Sequence, residues 1–77
     1  MKGKNNQYRD DSKLLTAIVY CSEKQVNGEQ FLKYRNISDT DTAISTFLLF
    51  AAKFPSAEYV NFYRKKDRTF KQRIYLQ

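Results

Sequence analysis

The chain predicts an α+β fold: one two-layer domain in β-β-α-β-β order, a four-stranded antiparallel sheet with one helix packed on one face. Three observations predict it. Ser38–Pro55, SDTDTAISTFLLFAAKFP, is the one stretch with helical periodicity and enough length to cover a sheet. The pair Asn27–Gly28 stands between two stretches of strand-like composition. After Pro55, two further stretches alternate apolar and polar residues on either side of a charged turn.

Residues 1–12 are polar, carry Asp10–Asp11, and hold Tyr8 as their one aromatic residue, which reads as a flexible tail. Residues 13–77 form the domain. Lys13–Cys21, KLLTAIVYC, is rich in β-branched and aromatic residues and reads as a strand. Asn27–Gly28 suits a two-residue type I′ turn, where both positions need positive φ. Flanked by Val26 and Glu29, that turn sets Cys21 opposite Tyr34, Tyr20 opposite Arg35, Val19 opposite Asn36 and Lys24 opposite Phe31. One face then holds Leu15, Ala17, Val19, Cys21, Leu32 and Tyr34, assigned to the core. Thr16, Ile18, Tyr20, Lys24, Phe31, Lys33, Arg35 and Ile37 fall on the other.

In the helix, Ala43, Ile44, Phe47, Leu48, Phe50, Ala51 and Phe54 gather in an arc of roughly 160°, wide enough to face a core. Thr42, Ser45, Thr46 and Lys53 occupy most of the opposite side, and Leu49 sits alone among them. Ser38 followed by Asp41 resembles a capping box, with Asp39 and Thr40 as alternative caps. Pro55 marks the end, because the residue before a proline disfavours the α region.

The last two strands are EYVNFYR and TFKQRIYLQ, around Lys65–Lys66–Asp67–Arg68. Strict alternation points Val60, Phe62, Phe70, Ile74 and Leu76 inward, interrupted by Gln72. It points Tyr59, Asn61, Tyr63, Lys71, Arg73 and Tyr75 outward. The core is therefore expected to contain Phe47, Phe54, Val60, Phe62, Phe70 and Ile74.

Composition narrows the chemistry. The chain has 14 Lys and Arg against eight Asp and Glu, a net charge of +6, and no His. Missing His removes the commonest neutral-pH base and metal ligand. Cys21 is the single cysteine, so neither an intramolecular disulfide nor a thiolate cluster can form. The glycines are Gly3 and Gly28, which leaves no phosphate-cradling loop. Asp10–Asp11 falls in the tail, Asp39 and Asp41 in a helix cap, and Asp67 in a turn. No enzyme activity, cofactor or metal is expected. With no signal-peptide pattern and no apolar run near the ~20 residues of a membrane span, a cytoplasmic protein with no membrane association is expected.

The positive charge favours polyanionic partners. Six basic residues lie between Arg64 and Arg73: Arg64, Lys65, Lys66, Arg68, Lys71 and Arg73. The outward face adds Tyr59, Tyr63 and Tyr75, and the first hairpin adds Tyr20, Phe31, Lys33 and Arg35. Aromatic rings for stacking, interleaved with cations for phosphates, suit contact with nucleic acid or a nucleoprotein complex. Tyr and Arg also dominate protein hot spots, so the same face suits a host protein or a homodimer of stacked sheets.

The β-β-α-β-β order resembles that of some very small phage-encoded inhibitors, including certain anti-CRISPR proteins. The likeness rests on element order and size and carries over no residues. It implies an alternative function: a small inhibitor that binds and blocks a larger host protein machine.

Overall fold

Alternating β-branched and aromatic residues build four strands: β1 (Leu14–Cys21), β2 (Phe31–Ser38), β3 (Ala57–Arg64) and β4 (Phe70–Tyr75). The structure, a computed structural model, describes residues 11–76. All neighbouring strands pair antiparallel, in the spatial order β2-β1-β3-β4. Helix α1 (Asp41–Ala51) joins β2 to β3 and packs on one face of the sheet. This is the expected two-layer α+β architecture. Of the expected polar tail at residues 1–12, only Asp11 and Ser12 fall within the described residues. With Lys13 they form a 3-10 turn that leads into β1.

The core sits between α1 and the two central strands. Leu15, Ala17, Val19 and Cys21 alternate inward along β1 and meet Val60 and Phe62 of β3. Ile44, Phe47 and Ala51 close it from the helix, with the Phe47 ring edge-on to Phe62 at 6.0 Å between centroids. Burial of each large side chain here stabilises by about 1.5–3 kcal/mol. Phe54, Ile74 and Leu76 pack half-buried at the margin.

Of the candidate helix caps, Thr40 takes the role: its Oγ1 accepts from the Ala43 N–H at 3.1 Å. Ser38 is instead the last residue of β2. The helix ends at Ala51, ahead of Pro55. There Lys53 and Phe54 donate backward to Phe50 and Ala51 in tighter, three-residue bonds.

The first hairpin departs from the expected register. Residues 22–30 form a loop, and Gly28 alone of the Asn27–Gly28 pair has positive φ, 83°. Gly28 N–H closes a turn onto the Gln25 carbonyl at 2.8 Å, a turn followed by a left-handed residue in place of the I′ pair. Tertiary bonds account for the longer loop. Ser22 N–H donates to Ser56 O at 3.0 Å, Glu23 N–H to Ser56 Oγ at 3.1 Å, and Gln25 Nε2 to Pro55 O at 3.0 Å. Those donors anchor the loop to the α1–β3 connection instead of extending the ladder. Tyr34 therefore pairs with Ala17, Phe31 with Tyr20 and Lys33 with Ile18. The slide is even, so β2 keeps its faces as far as Arg35.

Three register shifts then change the faces: one in the β1–β3 pair sets Ala57 opposite Cys21 in the core, and two are bulges of the edge strands. Asn36, at φ 63°, is an extra residue in β2, and Ile37 beyond it pairs with Leu15. Ile37 thus packs against the core, not on the outward face as alternation predicted. In β4 the register shifts between Gln72, opposite Phe62, and Phe70, opposite Tyr63. Phe70 consequently leaves the core face. It is 52% exposed and its ring packs against Tyr63 at 5.7 Å.

Candidate functional site

The sheet face away from α1 has two zones. The first is a row of four rings, one from each strand. Direct pairing sets Phe31, Tyr20, Tyr59 and Tyr75 side by side. Tyr20 stacks on Tyr59 at 5.0 Å, with Phe31 at 6.4 Å on one side and Tyr75 at 5.6 Å from Tyr59 on the other. The Arg73 guanidinium carbon lies 4.3 Å from the Tyr59 ring centre. Arg73 Nε donates to Asn61 Oδ1 at 2.8 Å, and Nη1 lies 3.4 Å from the Tyr75 hydroxyl. Asn61 is 5% exposed, and its Nδ2 donates to the Tyr63 hydroxyl at 3.2 Å. Burial raises the Tyr20 phenol above the ordinary tyrosine range; Tyr63 and Tyr59 push the same way and Arg73 opposes them.

The second zone is an open groove of about 790 Å³. Its floor is Thr16 and Ile18 of β1 with Tyr63 of β3. Lys33 and Arg35 come from β2 on one side. Arg64 at the end of β3 and Lys65, Lys66 and Arg68 of the β3–β4 turn come from the other. Short β1 side chains between long cationic ones leave the groove open.

The turn holds its cations in a defined shape. Arg68 takes φ 65° and its N–H donates to the Arg64 carbonyl at 2.7 Å. Asp67 accepts from the Thr69 hydroxyl at 2.6 Å and from the Thr69 N–H at 3.0 Å. Those bonds hold its carboxyl below the usual range and keep the anion inside the turn. Arg64 Nη1 donates to the Phe70 carbonyl at 3.2 Å. Lys65 Nζ donates to Asn36 Oδ1 at 2.6 Å, tying the turn to the bulge of β2. Asp11, the one acid on the groove wall, lies 3.9 Å from Lys65 and offsets little of the charge. Among the described residues, no hydrogen bond or ion pair engages the side chains of Lys33, Arg35, Lys66 or Arg68.

The expected site residues therefore divide. Arg64, Lys65, Lys66, Arg68, Tyr63, Lys33 and Arg35 line the groove. Tyr20, Tyr59, Tyr75 and Arg73 make the aromatic zone. Lys71 belongs to neither: it is the extra residue of the β4 bulge, and its Nζ lies 3.5 Å from Asp39 in the β2–α1 connection. Sequence reasoning missed Phe70 on this face, Asn36 as the tether of Lys65, and Asn61 as the holder of Arg73. Asn36 carried a signal, since Asn tolerates positive φ. Cys21 is buried, and burial raises its thiol, against a weaker opposing hydrogen bond from Ser56.

No family model, curated protein or solved structure matches this chain. Among the described residues no helix is long and apolar enough to cross a membrane.

Proposed function

We propose that this is a non-catalytic nucleic-acid-binding module whose basic groove takes the phosphate backbone. The supporting observation is convergence. Two segments distant in sequence bring six cations to the walls of a single groove, against one acid, Asp11, from a third. Solubility asks for interspersed charge of both signs, not for cations gathered around a shared concavity. Phosphate neutralisation and counterion release supply the affinity.

The test is fluorescence anisotropy with a labelled oligonucleotide across a salt series. Affinity falls steeply with salt in the wild type. Reversing Lys65, Lys66 and Arg68 to Glu weakens binding and flattens the log–log salt slope by about 2, at roughly 0.7 per lost phosphate contact on a single strand. Lys65→Glu gives up the Asn36 tether, so circular dichroism and thermal melting check that the triple variant stays folded at the assay temperature. Unchanged affinity and slope in the triple variant would refute the groove reading.

A second reading draws on Phe70 and Tyr75, 52% and 64% exposed on the same face. Rings standing out beside cations suit an acidic protein surface, as in a small inhibitor that obstructs a larger host machine or its nucleoprotein form. Under that reading a stoichiometric partner survives nuclease treatment in a pull-down, and the salt dependence is mild.

A further inference from the structure

Arg73 is held over an aromatic ring, unlike Lys33, Arg35, Lys66 and Arg68 of the groove. Its Nε is committed to buried Asn61 and its Nη1 neighbours the Tyr75 hydroxyl, while its carbon centre lies over the Tyr59 ring. Asn61 is itself fixed by Tyr63 and sits directly opposite Arg73 in the β3–β4 ladder. A side chain meant to reach a phosphate would need a free fork of N–H groups pointing outward. Here part of the fork is used internally, and the residue is nonetheless exposed. The surface left open is the planar side away from Tyr59, with the Tyr75 ring beside it.

We infer that Arg73 is a stacking platform for one unpaired base, which makes single-stranded nucleic acid the ligand of this face. Guanidinium planes stack on bases as aromatic rings do, and Tyr59 beneath supports the plane by a cation–π contact. A duplex keeps its bases stacked on one another and offers none to the platform. The groove lies along the same strands, so a strand with its phosphates there can lay a base on Arg73. This inference rests on the groove reading above, and the experiment separates the two.

Arg73→Lys keeps the charge and removes the plane; Arg73→Ala removes both. Each is compared with wild type by anisotropy on a labelled single strand of about 12 nucleotides. DNA and RNA versions, the matching duplex, and an abasic strand with the same phosphates complete the set. Circular dichroism and thermal melting check that each variant stays folded without the Arg73–Asn61 bond. On base-bearing single strands Arg73→Lys weakens binding roughly five- to hundred-fold and leaves the salt slope unchanged. On the abasic strand wild type and Arg73→Lys bind alike. The duplex binds more weakly than the single strands.

If Arg73→Lys matches wild type on base-bearing strands while Arg73→Ala weakens binding, Arg73 acts as a charge. That result overturns the platform but leaves the groove reading standing, as does a preference for the duplex. If wild type binds no strand at all, both readings fall together.

Discussion

The two hairpins of this protein began from the same kind of sequence signal and ended with opposite corrections. In β1–β2 the whole register slid, because the loop at residues 22–30 is tied to Pro55 and Ser56. The slide was even and left the faces intact. In β3–β4 the strands flank the charged turn as expected, yet Phe70 moved to the other face. A large register change therefore mattered less to the surface than one inserted residue. These two bulges lie in the edge strands, β2 and β4, where extra residues are tolerated; a third register shift falls in the central β1–β3 pair, between Tyr20 and Cys21. Asn36 brings an apolar side chain, Ile37, into the core. Lys71 turns one, Phe70, out beside the groove.

The largest difference in stability is expected from truncating one ring on each face of the second hairpin. Phe62 is 0% exposed beneath Phe47, so Phe62→Ala should lose about 3–5 kcal/mol in thermal or urea unfolding. Phe70→Ala should lose about 1 kcal/mol or less. Equal losses would return Phe70 to the core and remove the β4 bulge.

A middle-sized effect distinguishes the left-handed residues of the first hairpin. A Cβ at Gly28 meets nothing within 4 Å, so Gly28→Val carries a backbone cost alone, about 1–2 kcal/mol. Asn36→Val should cost at least as much, because it also removes the Lys65 tether. Asn36→Gly keeps the backbone and loses only the tether, so it should melt above Asn36→Val. If the two Asn36 variants melt together, positive φ is not what maintains the bulge.

The smallest effect lies where the hairpins meet, at Tyr20. Its phenol is raised in the folded state, so the folded chain binds that proton more tightly than the unfolded chain. The resulting stability is fully present below about pH 10, the unfolded value, and is lost as pH rises through the folded one. Tyr20→Phe should blunt the alkaline loss of stability above about pH 10. An identical alkaline profile in the variant would assign the effect to other tyrosines.

Much of the architecture was legible from local chemistry. Period-two alternation located β3 and β4, the apolar arc located α1, and Thr40 stood among the candidate caps. Gly28 was marked as a left-handed position, though the turn around it was not the one expected. At the site, the cations of the β3–β4 turn and of β2 were visible as separate clusters on one face. Their convergence into a groove was not, because it depends on β1 lying between β2 and β3 with Thr16 and Ile18 as its floor.

Alternation, charge and helical period act between residues near in sequence, so the chain alone determined element order, the helix-facing stripe of β1 and which residue types reach the open face. Register, bulges and partners of polar side chains are decided by contacts between distant segments. Ser56 takes the donors of the first loop, Asn36 takes Lys65, and Asp39 draws Lys71 away. Asn61 meets Arg73 only once β3 and β4 are paired. A strand pattern reports which side a residue faces only until an extra residue reverses the count, and tertiary packing decided where that residue went.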